Sequence, residues 1–566
     1  MKQRLLLIMM LCLTAGWSFA QAPKWLDKTR NAVFNIIAYD ESGKMIHTGN
    51  GFFITEDGTA IADYSVFENA QRAVIVDAQG KQMNVDMILG ANAMYDVVKF
   101  QVAISGKKVT ALPLASLSPS DNTTVFLLPY STQKGGDYAI GKVQHADRVE
   151  GSYNYYTLAL SLKDKMVSCP LVNNDGQVFA LAQKSSAADS TTICYGMDVK
   201  FANSLQIGAL SFNDNSLVKI GIRKALPDTE EDALALLYMV STRLSFTEYL
   251  QLLNDFLAKF PNSADGYLRR ANVQLASSQT DESLRQVEAD LDTALKLSPS
   301  KAEVYYNKAS IIYSYLGINP EHPYKNWTVA TAVEEIDKAI KEDPLPMYQQ
   351  LKGDMLFSQA DYAGAYAAYD QVNHSNLASA ASFYNAAKTK ELMQETDAAL
   401  ALMDSCIAKF APPYTQEAAP YLLERGRMRD EAGQSRQALL DYDEYYKAVN
   451  TQVNDVFYYM RGQVALRARV YQRALDDYAE AIEMNPEELT YRAELAVVNM
   501  RVGRNEEALQ VLAEAEKIDP SYSEIYRLRG LAYIQLKRNS EACDSFNKAK
   551  ELGNSEVQAL IDRYCN

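Results

Sequence analysis

Histidine is scarce in this chain: four in 566 residues, at His47, His145, His322 and His374, far apart in sequence. No Cys-x-x-Cys pair accompanies them, so the spacings of a zinc site are missing. No metal and no cofactor are expected. Cysteine is scarce too, with six in all. Cys12 sits in the apolar start, which leaves Cys169, Cys194, Cys406, Cys543 and Cys565. An odd, thinly spread set makes no disulfide framework. Positive charge is short: 56 Lys and Arg stand against 71 Asp and Glu, for a net charge of −15. Nucleic acid is excluded as a partner, because phosphate binding needs clustered cations. Long apolar runs are lacking, save one. Leu5 to Ala15 is short for a membrane span of about 20 residues. It follows Lys2 and Arg4 and precedes Ser18-Phe19-Ala20, with small residues where a signal peptidase cuts. Residues 1–20 are therefore read as a signal peptide and the protein as exported, without a transmembrane segment in the mature chain.

What is present belongs to a globular protein, 48% apolar and 22% charged. At about 150 residues per domain the length suggests three or four units. The composition divides near residue 215, and the acidity lies mostly beyond that point.

Residues 24–215 read as short strands and turns. Gly51 to Thr55 runs through Glu56-Asp57-Gly58 into Thr59 to Ala62. Ala73 to Val76 turns into Gln82 to Leu89, and Val97 to Val102 follows. After Pro113 to Pro119 a second group begins: Thr124 to Leu128, Ala139 to Val143, Tyr155 to Leu162, Gln177 to Ala182, Thr192 to Asp198. Hairpins at this spacing predict an all-β region of two small barrels.

Four stretches of this region resemble trypsin-like serine proteases, nearest to the HtrA/Deg group. Gly49-Asn50-Gly51-Phe52-Phe53 is similar to the hairpin before the family's histidine, and Asp63-Tyr64-Ser65-Val66-Phe67 falls on the histidine segment. Tyr95-Asp96-Val97-Val98 matches the aspartate strand. Lys165-Met166-Val167-Ser168-Cys169-Pro170-Leu171-Val172 falls on the nucleophile loop and its strand. The resemblance covers about a third of the chain and implies a trypsin-like double β-barrel.

The chemistry does not carry over. The resemblance places Ser65 where the histidine should be, Asp96 at the aspartate and Val167 at the nucleophile. Val167 has no hydroxyl, Ser65 offers no base, and Asp96 has nothing to orient. The loop's glycines, which shape an oxyanion site, are also gone. The catalytic set is therefore expected to be none, and the domain a pseudoprotease. Ser168 or Cys169 would each need a base that no aligned position offers. In the family's fold Cys169 and Cys194 fall near each other. A disulfide would staple the loop; two buried thiols are the alternative.

Beyond Asn215 the periodicity is helical. Gly462, Ala496 and Gly530 stand 34 apart, as do Ala474, Ala508 and Ala542, and again Ala481, Ala515 and Ala549. Earlier units keep the same offset between two small positions: Gly353 and Ala365, Ala387 and Ala399, Gly426 and Ala438. This is the tetratricopeptide (TPR) signature of paired helices. Tyr369, Tyr442, Tyr478 and Phe546 are expected to fill the gap between units. Residues 216–263 read as a linker and a degenerate first repeat, 264–554 as the TPR array with Gly317 to Trp327 looped out of one unit, and 555–566 as a capping helix. Cys543 and Cys565 are placed to meet at that cap.

The fold class is thus multidomain: an all-β trypsin-like double barrel followed by an all-α TPR superhelix. Such arrays present an extended concave face. Helix positions expected to line it are Tyr306, Tyr313, Gln350, Phe357, Tyr384, Lys388, Leu423, Arg427, Tyr459 and Gln463. Aromatic residues among polar ones suit a protein or extended peptide partner. No small-molecule substrate is evident. The expected role is a non-catalytic interaction scaffold of the bacterial cell envelope, in the periplasm or at the outer membrane through partners. The alternative is a serine-type endopeptidase whose TPR array captures substrate.

Overall fold

The computed structural model describes residues 23–133, 138–184 and 192–565. The signal-peptide reading falls on residues 1–20, outside the described residues. One compact unit runs to Leu297 and a second begins at Ser298.

The first unit opens with two closed antiparallel barrels of six strands each. In the first, β1 (Val33–Tyr39), β2 (Met45–Phe53), β3 (Thr59–Ala62), β4 (Arg72–Val76), β5 (Gln82–Asn92) and β6 (Val97–Val102) close in the order β1-β2-β3-β6-β5-β4. In the second, β7 (Thr124–Leu127), β8 (Ala139–Val149), β9 (Tyr153–Ala159), β10 (Pro170–Val172), β11 (Val178–Gln183) and β12 (Ile193–Asp198) close as β10-β11-β12-β9-β8-β7. Alternation drives this closure. In β6, Val98, Phe100 and Val102 are buried while Lys99 and Gln101 are half-exposed. Phe34, Phe53, Phe67 and Phe100 fill the first barrel, with Phe34 and Phe53 ring centroids 4.6 Å apart and Phe67 and Phe100 4.8 Å apart. Gly58 closes the β2–β3 turn at φ +101°, a conformation that favours glycine. The strand Val33–Tyr39 was not among the expected ones. It pairs with both β2 and β4 and completes the barrel.

The same unit carries the helices Glu230–Val240, Phe246–Lys259, Ala264–Ser277 and Asp281–Leu297. Arg223 links them to the first barrel, bonding Asp86 of β5 at 2.9 Å and Asp255 of the second helix at 2.8 Å. Its carbonyl accepts from the Ile88 N–H, and the Ala225 N–H donates to Ile88. The compact division thus falls within the helical array, with the first repeats on the barrels' side of it.

The second unit is helical, from Lys301–Ile318 to Gln558–Tyr564, in antiparallel pairs. Its glycines explain the 34-residue pattern. A Cβ on Gly353 would lie 2.5 Å from Tyr369, one on Gly426 2.9 Å from Tyr442, one on Gly462 2.9 Å from Tyr478, and one on Gly530 2.3 Å from Phe546. The large residue therefore seats on the glycine of its own pair. It also meets the next unit, as expected: Tyr442 lies edge-on to Phe457 of the following pair. The looped-out segment lies between helices Lys301–Ile318 and Val329–Glu342, with Gly317 still helical. Trp327 and Tyr324 are buried, with Trp327 edge-on to Tyr315 and Tyr324, so the insertion folds back onto its own helix. A disulfide joins Cys543 to Cys565 at the last helix. Among the described residues, no helix is long and apolar enough to cross a membrane.

Candidate functional site

Two places gather the residues singled out above. The first is the cleft where the two barrels meet. The loop before β10 is a short 3₁₀ turn, Asp164–Met166, and Val167 follows in extended backbone. The first barrel holds this loop: the Asn50 amide donates to the carbonyls of Lys165 (3.2 Å) and Val167 (2.8 Å). The Ser168 N–H donates to the Ala182 carbonyl at 2.9 Å and Ala182 returns a bond to Cys169. Ser168 takes φ +61° and is 1% exposed. Its hydroxyl donates to Asp63 Oδ2. Across the cleft, Asp96 Oδ1 accepts the Ser65 N–H at 2.7 Å and Oδ2 accepts the Ser65 hydroxyl at 3.1 Å.

The three degenerate positions Ser65, Asp96 and Val167 therefore do converge, on one cavity of about 430 Å³ shared with Asp63, Tyr95, Tyr155 and Gln183. The arrangement pairs each of the two serine hydroxyls with a carboxylate. The Ser65 hydroxyl faces a carboxylate without an imidazole between them. Cys169 and Cys194 are separate buried thiols, so of the two alternatives the unbridged one is found. Burial pushes both thiols up to about 12, which keeps them protonated and weakly nucleophilic. The loop is fixed by hydrogen bonds from the neighbouring barrel instead.

Asp63 is the residue that sequence reasoning missed. It is 4% exposed, and Oδ1 has no hydrogen-bond partner among the described residues. Burial first, and then the charge of Asp96, push its carboxyl well above the usual carboxylate range, against the pull of the Ser168 hydrogen bond. A raised folded pKa contributes stability fully present below the unfolded value near 3.8 and lost as pH rises through the folded value. Asp63→Asn removes that loss. The thermal stability of the variant relative to the parent is expected to rise as pH climbs from about 3.8 through the folded value and to level off above it. A difference independent of pH in calorimetry would contradict the assignment.

The second place is the helical array of the second unit. All ten groove candidates are half-buried, but they form separate groups. Tyr306 and Gln350 line a cavity of about 480 Å³ with Met347, Asp354 and Leu377. Tyr306 stacks on Tyr348, and the Tyr313 hydroxyl donates to the Asp354 carbonyl. Asp354 was not anticipated. Burial raises its carboxyl, and it accepts from Gln350 at 3.0 Å and Tyr369 at 2.8 Å. Phe357 packs on Tyr362. In the next group Tyr384 lies edge-on to Tyr421, and Lys388 and Arg427 share Glu391 and Glu424. Hydrogen bonds from Arg427 and Lys388 draw Glu424 down to about 2 despite burial. These two cations are thus neutralised within the array. Leu423 packs beside Tyr442 and Phe457, and Tyr459 accepts from Gln463 at 2.7 Å.

A family model described as Tetratricopeptide repeat matches residues 459–523 and 500–556. The chain is similar to Small glutamine-rich tetratricopeptide repeat-containing protein 2 of Mycosarcoma maydis, 31% identical over 91 residues, which is 16% of this chain and 26% of that protein. DnaJ homolog subfamily C member 7 of Homo sapiens is 29% identical over 99 residues, 18% of this chain and 20% of its own. The protein of the first name from Saccharomyces cerevisiae is 28% identical over 106 residues, 19% of this chain and 31% of its own. The chain spans at most 31% of the length of these curated relatives. The repeats imply protein partners.

Proposed function

We propose that this chain is a non-catalytic protein–protein interaction scaffold, with a trypsin-like pseudoprotease domain joined to a TPR array that takes the partner. The observation that carries it is the cleft between the barrels. A valine side chain lines it at the nucleophile position, a serine stands at the base position, and the neighbouring Ser168 hydroxyl is sealed against Asp63. An acyl-transfer mechanism needs a hydroxyl and a base within reach of each other. Here the serine hydroxyls meet only carboxylates, with no imidazole among the residues lining the cleft and no hydroxyl at position 167, which speaks against the endopeptidase reading.

For the array, the cavity of Tyr306, Gln350, Met347 and Leu377 supports an extended polypeptide as ligand. Met347 and Leu377 are exposed apolar residues at 42% and 50%, and such anchors contribute strongly when buried against a partner. Export and residence in the bacterial envelope belong to the same proposal, and rest on the signal-like start and the protease resemblance. One experiment tests the scaffold: crosslinking and affinity purification from envelope extracts, with a fluorophosphonate probe in parallel. A specific partner is expected, lost in Met347→Asp/Leu377→Asp, with no labelling at Ser168. A partner indifferent to the double variant, or stoichiometric labelling abolished by Ser168→Ala, overturns the reading.

A further inference from the structure

We infer that the cleft between the two barrels receives a basic side chain, an arginine or lysine of a bound polypeptide, with Asp96 as its counter-charge and Asp63 as a second that ionises as the cation enters. Four observations carry this. The cavity, about 430 Å³, has room for such a side chain. Two carboxylates border it, and among the described residues no ion pair is made by either. The basic group on the rim, Lys184, is engaged by Asp164 at 2.6 Å. Asp63 Oδ1 is buried and unpartnered, a costly state that a donor entering the cleft would relieve.

The walls fit the same ligand. Tyr95, Tyr155, Val149 and Val167 offer aromatic and aliphatic surface, which suits the alkyl stem of a long cationic side chain and the face of a guanidinium. A divalent ion fits less well. No group of three or more His, Cys, Asp or Glu that could hold a metal is found among the described residues, and hard cations take six or more oxygen ligands. The planar guanidinium needs two acceptors in a partly dry site, and Asp63 with Asp96 supplies them.

This inference goes beyond the scaffold reading and does not depend on the array's partner. The test is calorimetric titration of the full chain with the blocked tripeptide Ac-Ala-Arg-Ala-NH₂ and with its citrulline counterpart, which has nearly the same shape without the charge. The arginine peptide is expected to bind, with the citrulline peptide weaker by about tenfold or more. Asp63→Asn and Asp96→Asn are each expected to weaken the arginine peptide by about tenfold or more. The inference is overturned if the two peptides bind alike, if neither binds, or if both variants bind the arginine peptide as the parent does. The contrast between peptides on the parent protein needs no variant to fold. Loss of the array's partner in the crosslinking experiment leaves this result untouched.

Discussion

Tyr478→Ala is expected to destabilise the array by about 3–5 kcal/mol, as for other large buried aromatics. Tyr478 is fully buried, seated on Gly462 of its own helix pair and near the Tyr459 ring. Truncation leaves a cavity that the glycine opposite cannot fill. The hydroxyl behaves differently. It is buried with no hydrogen-bond partner among the described residues, so Tyr478→Phe is expected to be neutral or to gain about 1 kcal/mol. Tyr369→Phe is the control. Its hydroxyl donates to Asp354 at 2.8 Å, and its removal is expected to cost about 1–3 kcal/mol. Urea unfolding followed by circular dichroism ranks the three. Equal losses in Tyr478→Phe and Tyr478→Ala would show that the ring's fit to Gly462 is not what holds the pair.

Arg461→Met is expected to cost about 3–5 kcal/mol, because it strands a buried carboxylate. The Arg461 side chain is 5% exposed and that of Asp477 2%. Two bonds join them, Nε to Oδ2 at 3.0 Å and Nη2 to Oδ1 at 2.7 Å. The guanidinium also lies 4.7 Å from the Tyr446 ring centroid. Burial raises the Asp477 carboxyl and Arg461 opposes that rise. The double variant Arg461→Met/Asp477→Leu is expected to recover most of the loss, since a well-packed apolar pair often equals a buried ion pair. Asp443 keeps Arg473 as its partner in that variant. A double-mutant cycle reads the coupling. If the double variant loses as much as the two single variants together, the pair is not the source of the cost.

The sequence made some of this architecture plain and hid the rest for identifiable reasons. The paired-helix repeat was legible because Gly462 and Tyr478 must touch, and the contact recurs with the period. The Arg–Asp pairs were in the same text: Arg425 with Asp441 and Arg461 with Asp477 share one offset, and Arg270 with Asp290 follows it across an insertion. They escaped notice because charged residues on a helix ordinarily face water. In the barrels, Asp-Gly turns and alternation marked most strands. Val33–Tyr39 has no turn signal on its N-terminal side, which left it unmarked. At the cleft, the convergence of Ser65, Asp96 and Val167 came from a resemblance. Asp63 opens the stretch that falls on the histidine segment, but nothing in that stretch marks it as buried. Its burial depends on Ser168, 105 positions away, and no local pattern announces a contact of that range. The ion pairs of Lys388 and Arg427 with acids on the adjoining helices were hidden for the same reason, because those contacts are also non-local.

The Cys543–Cys565 bond has a consequence for how the array comes apart. Stacked helix pairs touch only their neighbours, so a free end is where opening ordinarily starts. Here the last helix is tied back across 22 positions to the pair it covers. With the bond intact, opening of the last pair leaves that helix tethered, and a junction inside the stack competes as the starting point. With the bond reduced, the end becomes the weak place again. The redox state of one pair of sulfurs then sets where unravelling begins.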